Sequence, residues 1–302
     1  MAKFTLLPDF TVDSTVWIEG KKLWGKHLSQ AIRAYLKQKA AADRVKPGLA
    51  VILVGEDPAS EIYVASKEKE ALECGFESRV IRLGANTQQE TIIGHIHQLN
   101  LDPTIHATLV QLPLPKHLNE QTILQAILPS KDADGFHYEN QGKLFSGVET
   151  TLPCTPAGIS VMLTLLGDDF SGKKAVVLGR SNIVGKPMAL LLLQQHDLTV
   201  TVCHSKSKNL REEIRSADIL VSATGVRGLV NPDDIKDDAI VFDVGMHRID
   251  GKLKGDLDLE KAYDRLRYYT PVPGGVGKMT IAMLLANAVT NALSQNQLLA
   301  NQ

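Results

Sequence analysis

Residues 174–196 combine a strand, a glycine-containing turn and a helix, and this segment constrains the fold more than any other part of the sequence. The apolar run Lys174–Leu178 leads into the turn Gly179–Gly185, and Pro187–His196 has the apolar spacing of a helix. In α/β proteins such a turn brings backbone N–H groups and a helix N-terminus to the carboxyl end of a parallel strand. The segment therefore predicts a parallel sheet and favours a phosphate-bearing ligand at its edge, although an ordinary strand-to-helix turn has the same local pattern.

Short apolar runs that end in turn residues alternate with helical spacing along the whole chain. This alternation is typical of parallel strands joined by crossover helices, so the predicted fold class is α/β. The predicted strands are Leu49–Val54, Ser78–Leu83, His106–Gln111, Lys174–Leu178, Thr199–Cys203, Ile219–Ser222, Ile240–Val244 and Tyr268–Val272. The predicted helices are Lys22–Ala42, Ala59–Cys74, Gln88–Leu99, Ile159–Leu166 and Pro187–His196.

The length of 302 residues predicts two domains, since a typical domain has about 150 residues. The stretch Asp132–Pro156 is rich in glycine and other turn formers, and we place the domain boundary near its end. The predicted domains are 1–152 and 153–279, and we expect the C-terminal helix 280–302 to pack back on the first. The second domain contains the strand, turn and helix described above and is predicted to be Rossmann-like.

The balance of charges argues against nucleic acid or an anionic membrane as a partner. The chain has 33 Lys and Arg against 34 Asp and Glu, so its net charge of −1 provides no overall positive field.

Cys74, Cys154 and Cys203 are too widely spaced to suggest a zinc site or a redox pair, and we expect no metal. Such cysteines, and an N-terminal segment without an apolar run, favour the cytoplasm. Polar residues interrupt the apolar C-terminal tail, which is predicted to be a docked helix rather than a membrane span.

The residues around the glycine turn favour NADP over NAD. Ser181 occupies the position of the middle glycine in the usual dinucleotide-binding pattern. The next strand ends in His204–Lys208, which has no carboxylate for the ribose hydroxyls of NAD but contains basic and hydroxyl groups. Together with Arg180, Ser205 and its neighbours suit the 2′-phosphate of NADP. The alternative is a solvated basic loop.

Two further segments of the second half have the composition of ligand-facing turns. Ser222–Gly225 follows a strand, and its small residues allow the backbone to lie along a dinucleotide, although a plain strand-end turn is equally consistent. Thr270–Gly277 contains two prolines, which stiffen it, and three glycines, which permit close backbone contact. We expect this segment to form a rigid wall that faces the substrate.

The first half contains polar residues that suit a binding site, each with a plainer interpretation. Tyr63 and Lys67 are four residues apart and share one face of a helix, which is also typical of a solvated amphipathic surface. Gln111 lies where a strand meets a proline-containing turn, at the carboxyl edge where open α/β sheets bind ligands. The segment Lys131–Gly135 has the pattern of a simple Asx turn.

Taken together, these segments resemble the bifunctional methylene-tetrahydrofolate dehydrogenase and methenyl-tetrahydrofolate cyclohydrolase family. They occur in family order through both halves, and their co-occurrence is more specific than any one motif. The matching segments are Tyr63–Lys69, Val110–Pro115, Lys131–Gly135, Pro153–Pro156, Gly179–Gly185 and Thr270–Gly277. Two positions depart from the family pattern: Ala133 stands where the family often has valine, and Lys278 where it usually has proline.

The resemblance implies a folate substrate in a cleft between the domains, NADP on the second domain, and a homodimer formed through that domain. By the same resemblance, Lys67 is the catalytic lysine, Gln111 assists it, Tyr63 packs against the folate and Asp134 holds the pterin. The remaining implied contacts are Pro273 and Gly274 for the substrate, and Gly179, Arg180, Ser181, Ser205, Ser222, Thr224, Gly225 and Met246 for the cofactor.

The family chemistry suits these residue types. The dehydrogenase step passes a hydride from the methylene carbon to NADP and requires that donor and acceptor be held face to face. The cyclohydrolase step adds water to the methenyl cation, and Lys67 can accept and return a proton if burial and the cationic substrate favour its uncharged form. An NADP-dependent dehydrogenase of a small hydroxy or amino acid is an alternative, but it gives no reason for Tyr63, Lys67, Gln111 and Asp134 to occur together. A non-catalytic dinucleotide- or folate-binding protein would keep the pocket without the chemistry.

Overall fold

The computed structural model describes residues 3–300, and side chains as far as residue 297, and it divides the chain into two compact units. The seven-stranded unit contains the chain up to Ala31, Leu144–Glu149 and Pro153–Met283. The three-stranded unit contains Ile32–Lys143, Thr150–Leu152 and the chain from Leu284 onward. Both units combine a mainly parallel sheet with helices, so the predicted α/β class is confirmed.

The helices and strands alternate along most of the described chain. The α-helices are α1 (Gly25–Ala42), α2 (Pro58–Glu73), α3 (Gln89–Leu101), α4 (Glu120–Gln125), α5 (Tyr138–Ser146), α6 (Cys154–Leu166), α7 (Gly185–His196), α8 (Leu210–Arg215) and α9 (Val276–Ala300). The strands are β1 (Ile18–Glu19), β2 (Lys22–Leu23), β3 (Gly48–Val54), β4 (Glu77–Leu83), β5 (Ala107–Val110), β6 (Lys174–Leu178), β7 (Thr199–Cys203), β8 (Ile219–Ser222), β9 (Ile240–Asp243), β10 (His247–Ile249), β11 (Lys252–Lys254) and β12 (Tyr268–Tyr269).

The smaller sheet has the order β4-β3-β5, and all its strands are parallel. Every residue of the central strand β3 is buried, which explains its unbroken apolar sequence. The chain passes from β3 through α2 to β4 on one side, then through α3 to β5 on the other. The connections therefore diverge between β3 and β5, and open α/β sheets bind ligands at the carboxyl edge of such a point.

The larger sheet has the order β1-β2-β12-β9-β8-β6-β7, and only β1 is antiparallel to its neighbour. The chain leaves β6 for β7 on one side and returns to β8 on the other, so the connections diverge between β6 and β8. Leu178, the last residue of β6, pairs with Cys203 on one side and Ser222 on the other. The turns that follow these strands are consequently neighbours at the carboxyl edge.

The structure differs from the predicted elements where a pattern was short or interrupted. The turn-rich stretch contains helix α5, in which the Lys143–Glu139 ion pair of 2.7 Å spans one helical turn around Gly142. The predicted strand at 268–272 is reduced to β12, since Pro271 has no N–H for a sheet. The short strands β1 and β2 join the sheet formed by the second half, because Lys22 pairs with Tyr269.

Helix α9 is the one helix of residues 3–300 that is long and apolar enough to cross a membrane, over Val276–Gln297. In the folded chain, 72% of its apolar window is buried inside the protein, as in the core helix of a globular domain. The predicted helix 280–302 thus begins earlier, at Val276, and its last two residues lie outside the described residues.

Candidate active site

Lys67 and Gln111 meet at the carboxyl edge of the three-stranded sheet. Helix α2 begins at a cap in which Asp57 accepts a hydrogen bond of 2.8 Å from the backbone N–H of Ser60, with Pro58 in the first turn. This helix carries Lys67, which is only 7% exposed. Gln111 directly follows β5, and the Nζ of Lys67 donates to its Oε1 over 2.9 Å.

The orientation of the Gln111 amide is fixed from both sides. Its backbone N–H donates to Ile52 O over 2.9 Å, which continues the pairing of β5 with β3. Its Nε2 donates to Leu112 O over 2.7 Å, so its oxygen is left to face Lys67. Among the described residues, Lys67 forms no ion pair. The amine is therefore held by a neutral acceptor, which orients it without adding a negative charge.

Tyr63 lies one helical turn before Lys67 on the same face of α2. The side chain is half-buried, and this burial raises the pKa of its phenol above the ordinary value of 10.0. Tyr63 therefore keeps its proton at neutral pH and presents an aromatic ring with a hydroxyl group at one end.

Asp134 lies in a loop that is built around the carboxylate of Asp132. Backbone N–H groups of Asp134, Gly135 and His137 donate to Asp132 over 3.2, 3.0 and 2.8 Å. The Asx turn considered from the sequence is therefore present. Asp132 also forms a parallel bridge with Thr108, which directs the chain toward the carboxyl end of β5. Asp134 is half-buried and belongs to the same unit as Lys67 and Gln111.

In the seven-stranded unit, the glycine turn after β6 is packed against the end of β8. Gly179 has a φ of +115°, and a Cβ there would lie 2.3 Å from the carbonyl oxygen of Ala223. A Cβ on Gly185 would lie 2.2 Å from the oxygen of Gly179. Ser181, in the position of the usual middle glycine, accepts hydrogen bonds from Val184 N and Gly185 N with its Oγ over 3.1 and 3.3 Å. Its hydroxyl thus fixes the turn against the first residues of α7.

The predicted phosphate-binding side chains are exposed at the ends of paired strands. Arg180 follows β6, and Ser205 and Lys206 follow β7, with the two strands joined by the 2.8 Å hydrogen bond from Gly179 N to Cys203 O. The turn at Ser205 is closed by Ser207, whose Oγ accepts from His204 N over 2.9 Å. Two cationic side chains therefore lie at the carboxyl edge beside the glycine turn.

The loop Ser222–Gly225 is organised by Asp256, a residue that the sequence analysis did not identify. Oδ2 of Asp256 accepts from both hydroxyls of the loop, Ser222 Oγ at 3.3 Å and Thr224 Oγ1 at 3.0 Å. It also accepts from the backbone N–H groups of Thr224 and Gly225 at 3.0 and 3.1 Å. The hydroxyls of Ser222 and Thr224 and the backbone N–H groups of Thr224 and Gly225 thus all form hydrogen bonds within the protein.

The segment before α9 is closely packed against other parts of its own unit, and its role as a substrate-facing wall stays a prediction. Gly274 has a φ of +104°, and its carbonyl accepts from Lys26 N over 2.8 Å, while Pro273 is exposed. The backbone N–H of Lys278 donates to Gly275 O over 3.2 Å, a hydrogen bond that proline cannot form. Met246, the remaining predicted cofactor contact, is 42% exposed.

Comparison with known proteins identifies the family. Two family models match: the tetrahydrofolate dehydrogenase/cyclohydrolase catalytic domain over residues 23–134 and the NAD(P)-binding domain of the same family over residues 153–296. The bifunctional protein FolD of Halalkalibacterium halodurans is 48% identical over 279 residues, which cover 92% of this chain and 99% of that protein. The chain belongs to the tetrahydrofolate dehydrogenase/cyclohydrolase family.

Solved structures of the family have the same fold. FolD from Campylobacter jejuni is 47% identical, with a TM-score of 0.86 over 89% of this chain and 97% of that one. FolD from Trypanosoma brucei, solved with NADP cofactor and an inhibitor, is 36% identical, with a TM-score of 0.87 over 93% and 99% of the two chains. The family resemblance and the two-domain α/β fold expected from the sequence are confirmed.

The seven-stranded unit fits the dinucleotide that the family model implies. Gly179 and Gly185 let the turn pack closely at the carboxyl edge of the sheet, residues 180–182 of the turn are exposed, and cationic side chains lie beside it. Sequence reasoning missed Asp132 and Asp256 as organisers of their loops. The Asx pattern indicated the first, but Asp256 bonds to residues 31 to 34 positions away, which no local pattern reports.

The packing of Gly179 predicts that its replacement damages both stability and cofactor binding. Gly179→Ala forces the ends of β6 and β8 apart, so we expect urea unfolding to show a loss of about 3 kcal/mol or more, and calorimetry to show no NADP binding. Gly172→Ala is the matched control, since Gly172 has a φ of +74° but no neighbour within 4 Å. It should lose only about 1–2 kcal/mol. Equal losses in the two variants would contradict the close packing.

The buried carboxyl of Asp243, at the end of β9, predicts an unusual dependence of stability on pH. Burial raises its pKa from 3.8 to about 6, although it accepts hydrogen bonds from the backbone N–H groups of Leu257, Asp256 and Gly245. The folded protein holds this proton more tightly than the unfolded chain does. Its contribution to stability therefore falls as the pH rises from about 4 to about 6.

The test compares the natural protein with Asp243→Asn by urea unfolding at several pH values. We expect the difference in unfolding free energy, natural protein minus variant, to fall by up to about 3 kcal/mol between pH values of about 4 and about 6. Asp57→Asn is the control, because the Ser60 N–H lowers the pKa of Asp57 and its contribution is already complete above about pH 4. A difference for Asp243→Asn that stays constant or rises with pH would contradict this account.

Proposed function

We propose that the protein is a bifunctional enzyme of one-carbon folate metabolism. It oxidises 5,10-methylenetetrahydrofolate to 5,10-methenyltetrahydrofolate with NADP, and then hydrolyses that product to 10-formyltetrahydrofolate. The membership of both halves in the dehydrogenase/cyclohydrolase family supports this assignment. The strongest support from the structure is the 2.9 Å hydrogen bond between the amine of Lys67, a buried residue, and Gln111.

For the dehydrogenase step, the chain supplies binding and orientation. Gly179 and Ser181 hold the turn open toward a pyrophosphate, Arg180 and Ser205 suit the 2′-phosphate, and Gly225 and Met246 lie on the neighbouring loops. When bound, NADP supplies the nicotinamide ring that takes the hydride. Pro273 and Gly274, which lie in the packed segment before α9, are proposed to contact the substrate.

For the cyclohydrolase step, Lys67 is proposed to move the protons. Addition of water to the methenyl carbon forms a C–O bond and releases a proton, which the uncharged amine can accept at Nζ. Breaking the C–N bond requires a proton on the departing nitrogen, and Nζ can return one. As the C–N bond breaks, the hydroxyl of the adduct becomes the formyl C=O and gives its proton to water. One proton is thus released overall, because the methenyl compound is a cation and the formyl compound is not. Gln111 Oε1 keeps Nζ in place during both transfers.

For substrate binding, Asp134 and Tyr63 are proposed to hold the pterin. A carboxylate can accept two parallel hydrogen bonds from the amidine-like edge of the ring and so fix its orientation. The half-buried ring of Tyr63 offers a flat surface for packing, on the helix face that also carries Lys67.

A cytoplasmic homodimer completes the proposal. Cys74, Cys154 and Cys203 are free and buried, which suits a reducing compartment. Dimer formation through the NAD(P)-binding domain is proposed because the chain belongs to the family whose resemblance implied it.

The experiment supplies the purified protein with methylenetetrahydrofolate and either NADP or NAD, and follows the methenyl and formyl products over time. We expect turnover with NADP, a higher kcat/KM for NADP than for NAD, and conversion of methenyl product to formyl product. The absence of hydride transfer would refute the dehydrogenase assignment. If the methenyl product is converted to the formyl product no faster than in buffer alone, the proposed role of Lys67 is refuted.

Lys67→Ala is assayed in the same way. Since the variant lacks the group that moves protons, we expect methenyl hydrolysis to fall at least about 100-fold, with NADP binding unchanged. The matched control is Lys69→Ala on the same helix, because the Lys69 side chain is 76% exposed. Hydrolysis at the natural rate in Lys67→Ala, or an equal loss in Lys69→Ala, would remove Lys67 from this role.

A further inference from the structure

We propose that Asp132 is a positioning residue for folate binding, because its buried carboxylate fixes the loop that presents Asp134. This inference rests on the proposed function, in which Asp134 holds the pterin. Asp132 itself is only 3% exposed and therefore acts through the loop rather than through contact with the substrate.

Both oxygens of the Asp132 carboxylate are fully used by the loop that follows it. Oδ1 accepts from the backbone N–H groups of Asp134 and Gly135 over 3.2 and 3.0 Å. Oδ2 accepts from the backbone N–H of His137 over 2.8 Å and from Nδ2 of Asn140 over 2.9 Å. Four donors thus converge on one side chain, and three of them are backbone groups of the segment that carries Asp134.

The donors around Asp132 require a carboxylate at this position. A carboxylate offers acceptor sites on both oxygens and no donor, whereas asparagine would turn an NH₂ group toward His137 N and Asn140 Nδ2. The charge is costly, since burial raises the pKa of Asp132 to about 6. A loop that only connects two elements does not need a buried charge that costs stability. A loop that must hold one conformation does, because the carboxylate fixes its backbone N–H groups.

The same loop is also fixed through its backbone carbonyls by helix α9. Asn287 Nδ2 donates to Ala133 O and Leu152 O, both over 2.9 Å. One turn later, Asn291 Nδ2 donates to Asp132 O over 3.4 Å. On its other side, Ala133 N donates to Thr108 O of β5 over 3.1 Å.

These contacts leave Asp134 little freedom. The residue before it is bonded to β5 and α9, and its own N–H is bonded to Asp132. A binding carboxylate that is held in place before the ligand arrives loses less conformational entropy on binding. Loss of the Asp132 carboxylate should therefore weaken folate binding while leaving the NADP site unchanged.

The test measures steady-state KM values for methylenetetrahydrofolate and NADP in the full-length Asp132→Asn variant. We expect the folate KM to rise at least about tenfold, with the NADP KM within about twofold of the natural value. Hydrogen exchange should show faster exchange at the amides of Asp134, Gly135 and His137 than in the natural protein, with β5 unchanged.

Ile96→Val is the control for a general loss of stability, because Ile96 is fully buried in the same unit but lies outside the loop. Its folate KM should stay unchanged. If Asp132→Asn does not fold, Asn140→Ala removes one of the four donors and should raise only the folate KM, by about threefold. An unchanged folate KM, an equal rise for NADP, or the same rise in Ile96→Val would overturn the inference. If the natural protein itself does not turn over methylenetetrahydrofolate, the proposed function fails, and this inference fails with it.

Discussion

The hydrogen bond between Lys67 and Gln111 is the interaction on which the proposed chemistry depends. It joins the helix that follows β3 to the residue that follows β5, over 2.9 Å, at the point where the connections of the small sheet diverge. Lys67 as a whole is only 7% exposed, and the amide of Gln111 is held by its own neighbour Leu112. The parallel sheet thus determines where the amine lies, and the amide determines which way it points.

Buried carboxylates have a second, supporting role in both units. The carboxylate of Asp132 accepts hydrogen bonds from the loop that carries Asp134, and that of Asp256 accepts them from the loop after β8. The carboxylate of Asp243 accepts them from the chain around Asp256. In each case a carboxylate accepts hydrogen bonds from several backbone N–H groups, and for Asp132 and Asp243 these bonds offset only part of the cost of burial, since the pKa of each is still raised to about 6. The loops at the carboxyl edges are therefore rigid because their polar groups are satisfied internally.

Much of this architecture could be predicted from local sequence, because parallel strands and their caps leave local signals. β6 begins and ends where the apolar run predicts, and α2 begins at the predicted Asp57 cap. The resemblance to the family identified Lys67 and Gln111, whose contact the structure then provides. Their spacing alone did not distinguish them from a solvated helix face.

The remaining features depend on contacts between distant parts of the chain. The cofactor contacts predicted for Ser222 and Thr224 stay predictions, and the hydrogen bonds of their hydroxyls to Asp256 could not be predicted from local sequence. Strands β1 and β2 join the sheet of the second half through a single paired position at Tyr269, which no sequence period indicates. Such pairings are decided by which partners the folded chain brings together, not by neighbours in sequence.

The most direct test of the central claim is the rate of methenyl hydrolysis by Gln111→Glu, measured beside its dehydrogenase activity. Glutamate keeps the length of the side chain but places a negative charge beside Lys67, which favours the charged amine and prevents it from accepting a proton. The account predicts that hydrolysis falls at least about 100-fold while NADP binding is retained. Hydrolysis at the natural rate in this variant would contradict it.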